Sequence, residues 1–310
     1  MLRSMYAGVS GMKAFQTKLD VIGHNMANVD TTGVKKGRIT FQDMMSQPVR
    51  GASEPTALRG GINPSQVGTG VQIGTIDNIH VQGNRQTTNR PLDLQLEGDG
   101  MFVLATGLVY NTGTPASGIN LEATNITYSR AGNFYLDDEG YIVNANGEYL
   151  VGRTDHNGDG ITDNVYGRIQ IPSTADSFSI QGNGIVNYIQ NGETLQAGQI
   201  MLAKFSNNEG LSKIGANMFQ NSVNAGRMEQ ISGVDDVNGD GIVDATDMTF
   251  LFEPESEGTA SIIAGALEMS NVDLAEEFTE MITAQRGFQA NTRIITTSDE
   301  ILQELVNLKR

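Results

Sequence analysis

Two acidic stretches of the chain contain the residue types and spacing that bind calcium. The stretch DVNGDGIVDATD, residues 236–247, places carboxylate or amide oxygens at loop positions 1, 3, 5, 9 and 12, with glycine at position 6. Oxygen ligands at these positions, with a backbone carbonyl at position 7, form the loop of an EF-hand. The predicted ligands are Asp236, Asn238, Asp240, Ile242 through its carbonyl, Asp244 and Asp247. We therefore predict a structural Ca²⁺ site here, against the alternative of a polar hairpin tip.

The second stretch, DHNGDGITD at residues 155–163, contains part of the same pattern. Its candidate ligands are Asp155, Asn157, Asp159, Ile161 through its carbonyl, and Asp163. Position 12 of this loop is Tyr166, which cannot supply a carboxylate. Calcium binding and a polar turn therefore both remain open for this stretch.

The sequence offers few other residues that could act in catalysis or bind a metal or cofactor. The three histidines, His24, His80 and His156, are isolated in the sequence, and cysteine is absent. The absence of cysteine excludes thiolate metal ligands, a cysteine nucleophile and disulfides. The glycine-rich turns do not form a phosphate-binding loop. We predict no catalytic residues and no organic cofactor.

The net charge and the first residues of the chain limit which partners and which export route are expected. The chain has 20 Lys and Arg against 36 Asp and Glu, a formal net charge of −16, so its surface is expected to repel nucleic acids and anionic lipids. No apolar run approaches the ~18 residues of a membrane helix. The start, MLRSMYAGVSGMKAF, lacks the pattern of a cleaved signal peptide. We expect no nucleic-acid partner, no membrane insertion and, if the protein is exported, a route without a cleaved signal.

Both ends of the chain have the seven-residue apolar repeat of helices that pack along one another. The repeats consist of Met5, Met12, Leu19 and Met26 at one end and Leu267, Leu274, Met281, Phe288, Ile295 and Leu302 at the other. Gly8, Gly11 and Gly23 each weaken the first helix by up to ~1 kcal/mol relative to alanine, so packing must stabilise it. Ser270 and Asp273 are a candidate capping pair for the second helix. A helix that packs only on the core of its own domain is the alternative.

Between the ends the apolar period changes to two residues, and turns rich in Gly, Asn and Asp separate short strands. We predict a mainly β protein with helical termini, in which the two terminal helices pair as a coiled-coil domain. An antiparallel β sandwich or barrel is inserted between them. The predicted parts are helices at 1–30 and 268–310, an extended connector at 31–70, a β-rich outer domain at 71–232 with a calcium-loop-like insert at about 153–166, and a second such insert with a return segment at 233–267.

Three stretches resemble the signatures of bacterial flagellar rod and hook proteins. VIGHNMANVDTTGVKKGRITFQDM, residues 21–44, is similar to the N-terminal signature of that family, although His24, Asp30 and Val34 replace its usual residues. YSRAGNFYLDDEGYIV, residues 128–143, is similar to a central hairpin of the family, and residues 266–310 are similar to its C-terminal segment. With three motifs in the family's order, the chain is identified as a member of this family.

The resemblance implies a structural protein, not an enzyme, that polymerises with itself into a tube. It implies an inner layer of paired terminal helices and an outer layer of β domains, together with export through the flagellar type III apparatus. The implied location is the extracellular flagellum, in its hook or basal body. The implied partners are further copies of the chain, the rod, hook-cap and hook–filament junction proteins, and the export apparatus.

Within this family, two segments of the chain resemble two different members, the hook protein and the distal rod protein. AQRGFQANTRIITTSDEILQ, residues 284–303, is more similar to hook proteins, which favours the flexible hook between rod and filament. VGTGVQIGTIDNIHVQG, residues 67–83, is similar in style to distal rod proteins, so a distal rod subunit is the alternative. A calcium-dependent binding module or adhesin is less favoured, because such a module has no need of a matched helix at each end.

Overall fold

The computed structural model describes residues 2–55, 59–110, 119–121, 123–155, 165–231, 248–256 and 258–308. The chain forms two compact units. The helical unit comprises Met1–Val29, Lys36–Ile79 and Val272–Arg310, and the sheet unit comprises Asp30–Lys35 and His80–Asn271. Neither helix in the described part of the chain combines the length and apolar character needed to span a bilayer.

The described part of the helical unit contains two helices and four strands: α1 Leu2–Ala27, β1 Gly37–Asp43, β2 Ser46–Arg50, β3 Ser65–Gly68, β4 Val71–Asn78 and α2 Leu274–Leu308. The helices pack side by side in antiparallel order, since Gly8 lies against Ile295 and Phe15 lies against Gly287. Strand β1 pairs with β4, and β2 pairs with β3, both antiparallel. Strands β1 to β3 thus lie within the predicted connector at 31–70.

Helix α2 begins at Leu274 because Asp273 caps its first turn. The Asp273 carboxylate accepts hydrogen bonds from the backbone N–H groups of Ala275 at 2.8 Å and Glu276 at 3.4 Å. Such bonds satisfy donors that a helix start leaves without an intrahelical partner. Asp273 is therefore the capping residue itself, whereas the sequence pattern predicted Ser270 in that position. Leu267, the first residue of the predicted repeat, pairs with Gln86 in a sheet.

The sheet unit is built from short strands. Its described strands are β5 Arg85–Thr87, β6 Leu94–Glu97, β7 Met101–Thr106, β8 Asn125–Ser129, β9 Tyr135–Leu136, β10 Ile142–Val143, β11 Tyr149–Thr154, β12 Val165–Arg168, β13 Ser177–Ile180, β14 Ile185–Gln190, β15 Glu193–Ile200, β16 Leu202–Ala203, β17 Ser212–Gly215, β18 Met218–Gln220, β19 Gln230–Ile231, β20 Met248–Thr249, β21 Leu251–Phe252, β22 Ser261–Ala264 and β23 Ala266–Glu268. The largest sheet has the order β13-β14-β15-β11-β7-β8-β18-β17, and β9, β10, β12, β16 and β21 join it. Smaller antiparallel pairs are β22 with β6, β23 with β5 and β19 with β20.

Strand β7 illustrates how the amino-acid sequence of the sheet unit matches its buried core. Phe102 and Leu104 belong to one buried apolar cluster, and Met101, Val103 and Ala105 belong to another. Successive side chains of a strand point to opposite faces, so a strand covered on both faces needs a continuous apolar run such as MFVLA. The mainly antiparallel β fold with helical termini is confirmed, with sandwich-like sheets rather than a closed barrel among the described residues.

Candidate assembly surface and buried ion cluster

The seam between α1 and α2 follows the seven-residue repeat. On α2 its residues are at least partly buried and alternate at spacings of four and three: Glu277, Met281, Ala284, Phe288, Asn291, Ile295, Ser298 and Leu302. This spacing keeps a single face of a helix toward its neighbour. The predicted positions Met281, Phe288, Ile295 and Leu302 therefore lie on the seam, whereas Leu274 is 42% exposed.

Close approach of the two helices depends on glycine. A β-carbon at Gly8 would lie 3.2 Å from Cγ1 of Ile295, and one at Gly11 would lie 2.8 Å from Nδ2 of Asn291. A β-carbon at Gly287 would lie 2.6 Å from the ring of Phe15. The sequence pattern marked Gly8 and Gly11 only as residues that weaken a helix. Their packing role depends on partners at the other end of the chain.

Two glycine-to-alanine changes are expected to have opposite effects on the helical unit. Gly287→Ala forces a methyl group into the Phe15 ring, and overpacking of this kind costs ~1–3 kcal/mol. Gly23→Ala meets no atom within 4 Å and gains up to ~1 kcal/mol of helix propensity. Thermal unfolding followed by helical circular dichroism should show a lower midpoint for Gly287→Ala and a higher one for Gly23→Ala. An equal rise of the unfolding midpoint in both variants would contradict the close packing at Gly287.

Outside the seam, α2 has exposed apolar side chains on more than one side. They are Leu274 (42%), Phe278 (51%), Ile282 (52%), Ile294 (45%), Ile301 (43%), Leu305 (47%) and Val306 (68%). The sequence pattern predicted that Phe278, Ile282, Ile301, Leu305 and Val306 would widen the buried stripe, but in the single chain they face solvent. Removal of these side chains from water is favourable, so the helical unit has apolar surface that association with another molecule would cover.

The end of α1 is fixed by polar contacts inside the helical unit. Asn25 accepts a hydrogen bond from the Gly37 N–H and donates one to the Gly37 carbonyl, both at 2.9 Å. Its amide also donates to the buried Glu277 carboxylate at 3.3 Å. Lys36 Nζ lies 2.9 Å from both Glu276 and Glu277. Asn25, a residue of the N-terminal signature, thus ties α1 to β1 and to α2.

The sheet unit contains a buried ion cluster centred on Glu268. The Glu268 side chain is fully buried; it lies 2.6 Å from Lys35 Nζ and 3.0 Å from Arg130 Nε. The Gly83 N–H donates to the same carboxylate at 2.9 Å. Lys35 also donates to the Val81 carbonyl at 2.9 Å. The carboxylate thus holds the segment after α1, the segment after β4 and a residue of the central hairpin.

The charges of the cluster shift the pKa values of its members. Burial alone would raise the pKa of Glu268, but the Arg130 and Lys35 charges hold it below its ordinary value. Burial lowers the pKa of Lys35, because the attraction of Glu268, opposed by Arg130, does not restore the lost hydration. Burial and the nearby Lys35 and Arg130 charges lower the pKa of His80 to about 4. His80 is therefore uncharged at neutral pH.

The predicted calcium ligands fall almost entirely outside the described residues. Those outside are Asp236, Asn238, Asp240, Ile242, Asp244, Asp247, Asn157, Asp159, Ile161 and Asp163. Asp155 directly follows β11, and its N–H donates to the Ala197 carbonyl at 3.4 Å. Within the described ranges no three His, Asp or Glu side chains are grouped to hold a metal ion. Calcium binding therefore stays a prediction from the sequence.

Comparison with known proteins gives matches along the whole chain. Three family profiles match: "Flagella basal body rod protein" at residues 5–35, "Flagellar hook protein FlgE/F/G D1 domain" at 118–188 and "Flagellar basal body rod FlgEFG protein C-terminal" at 263–308. The flagellar basal-body rod protein FlgG of Bacillus subtilis is 48% identical over 311 residues, covering 100% of both chains. The flagellar hook protein FlgE of Borreliella burgdorferi is 30% identical over 462 residues, also covering 100% of both. The rod protein FlgG of that bacterium is 33% identical over 316 residues, again with full coverage.

Proposed function

Because this chain belongs to the family of bacterial flagellar rod and hook proteins, we propose that it is a subunit of the flagellar rod. Members of this family are structural proteins and not enzymes, and the family implies self-polymerisation within the flagellar basal body. The observation that carries the rod assignment is length. The 310-residue chain aligns over 311 residues with a rod protein but over 462 with a hook protein, which therefore has segments that this chain lacks.

The hook is the second candidate. A hook protein with 30% identity over both full chains supports it, as does the hook-like segment at residues 284–303. In either location the subunit would contact copies of itself and the neighbouring rod, hook-cap or hook–filament junction proteins. Its export would use the flagellar type III apparatus and end in the extracellular flagellum.

The assembly role follows from the helical unit. Its seam holds α1 against α2, and burial of the exposed apolar residues of α2 by another copy stabilises the assembly. Burial of exposed apolar area favours association at roughly 25 cal/mol per Å² before the costs of ordering. The ion cluster at Glu268 belongs to the sheet unit and holds that unit's connecting segments.

The assignment is tested by locating the protein on isolated flagella. A short epitope inserted between Asn191 and Gly192, in the exposed turn between β14 and β15, gives an antibody site within the sheet unit. Immunogold electron microscopy of hook–basal bodies should label the rod, and a deletion strain should lack both rod extension and hook. Label along the hook would favour the second candidate. Absence of label from the whole structure would contradict both.

We also propose that the loop at residues 236–247 binds Ca²⁺ as structural support. Its four aspartates repel one another until a cation neutralises them, and a ligand that binds only the folded state stabilises it by ~2.7 kcal/mol at a hundred times its Kd. Millimolar Ca²⁺ should therefore raise the melting temperature relative to chelator. Asp236→Ala with Asp240→Ala should remove the shift, and a shift that survived this change would move the site to the stretch at residues 155–163. An equal wild-type melting temperature in both buffers would refute this site.

A further inference from the structure

A groove of about 480 Å³ lies along one side of α1 in the helical unit. Its lining consists of Arg3, Tyr6, Val9, Ser10 and Lys13 of α1 with Met44, Gln47 and Thr69. The two charged residues, Arg3 and Lys13, are both basic and stand about 15 Å apart along the helix axis. Neither has an ion-pair partner within the described part of the chain. The groove thus combines an apolar floor, including the 72%-exposed Tyr6, with uncompensated positive charge.

The last turns of α2 have the complementary character. Ile294, Ile301 and Leu305 form an exposed apolar stripe at spacings of seven and four, between 43% and 47% exposed. Glu300 and Glu304, one turn apart, lie along one edge of this stripe and are exposed. Neither glutamate makes an ion pair with any other described residue. This end of α2 is therefore an apolar ridge with an acidic edge.

We propose that the groove of one copy binds the end of α2 of a second copy, with Leu305 on Val9 and Ile301 on Tyr6. Glu300 and Glu304 then lie beside Arg3 and Lys13, so apolar burial and opposite charges favour the same pairing. This inference rests on the proposed self-assembly and names the surfaces that perform it.

The same chain cannot fill its own groove. Gly8 lies against Ile295 and the helices are antiparallel, so Leu305 projects beyond Ile295 by about 15 Å, in the direction away from Val9. Val9 and Leu305 of one chain are therefore much farther apart than the ~7 Å Cα limit of a disulfide. A disulfide between these positions must join two copies.

Cysteine cross-linking tests the pairing directly, because the natural chain has no cysteine. The full-length Val9→Cys, Leu305→Cys double variant should give dimers and longer ladders on mild oxidation, seen on non-reducing gels. The control, Gln16→Cys with Leu305→Cys, places the first thiol on an exposed position of α1 outside the groove and should stay monomeric on the gel. If light scattering shows multimers of the first variant but no cross-link forms, this pairing is wrong while self-assembly stands. If no multimers form at all, self-assembly and the pairing both fail.

Charge reversal supplies a second measurement. Arg3→Glu with Lys13→Glu, or Glu300→Lys with Glu304→Lys, should each lose most of the assembly that light scattering records for the unaltered protein. A chain with all four changes should regain it, because opposite charges again face each other. The melting temperature of each monomer checks that folding is unchanged. Equal assembly of all variants, or loss without recovery in the fourfold variant, would overturn the proposal.

Discussion

Replacing Glu268 by alanine is expected to lower the free energy of unfolding of the sheet unit by about 3–5 kcal/mol. The change leaves Lys35 and Arg130 buried without their shared carboxylate, and a buried charge that has lost its partner is strongly destabilising. The Gly83 N–H also loses its acceptor. Urea unfolding followed by the circular dichroism of the β-sheet measures the loss.

Glu229→Ala is the matched control for Glu268→Ala. Glu229 lies 3.0 Å from Arg227, and the two side chains are 40% and 25% exposed. Ion pairs that water reaches contribute about 0–1 kcal/mol, since water replaces the lost partner. We expect a much smaller change in the urea midpoint for this variant. If both variants lost a similar free energy of unfolding, burial would not be the cause of the stability that the Glu268 cluster contributes.

The same cluster gives the sheet unit a pH dependence of known sign. The pKa of Glu268 is lower in the folded state than in the unfolded chain, through the Arg130 and Lys35 charges that outweigh its burial. Its stabilisation is therefore complete above the unfolded pKa of ~4.3 and is lost as the pH falls through the folded pKa. Unfolding midpoints of the wild type and Glu268→Ala should converge as the medium becomes strongly acidic.

Local patterns predicted the elements of the fold well. A period of seven at both ends predicted the helices, and a period of two with turn residues predicted the antiparallel strands. These signals reside within short windows of sequence, where periodicity reports which face of an element is buried. Periodicity does not report where an element begins, because that boundary can depend on a single side chain. Helix α2 begins where the Asp273 carboxylate, and not Ser270, caps the first turn.

The ion cluster could not be predicted in the same way. Lys35 lies in the N-terminal signature, Arg130 in the central hairpin and Glu268 in the C-terminal segment, so each family motif supplies one member. A signal was present, because each of the three motifs contains a charged residue. Nothing in the local pattern says that these charges meet, since their contact depends on how distant segments cross in the folded sheet unit. The glycine contacts on α1 have the same long-range origin.

Ile295→Asp is expected to abolish self-assembly while the sheet unit stays folded. Ile295 lies on the seam against Gly8, where a β-carbon on α1 would lie 3.2 Å from Cγ1 of Ile295. An aspartate there is removed from water without a cationic partner, which costs several kcal/mol and separates α1 from α2. The exposed apolar residues of α2 then lose the support that fixes their position for a second copy.

Thr283→Asp separates the effect of position from the effect of charge. Thr283 is exposed on α2, outside both the seam and the exposed apolar residues, so its variant carries the same added charge into solvent. Sedimentation should find Ile295→Asp in the monomer fraction and Thr283→Asp among the polymers, and in cells only the second should restore flagellar growth to a deletion strain. The β-sheet circular dichroism of both should match the wild type. Normal polymers from Ile295→Asp would show that assembly does not need an intact α1–α2 seam, and would leave the exposed apolar residues of α2 as the surface that drives it.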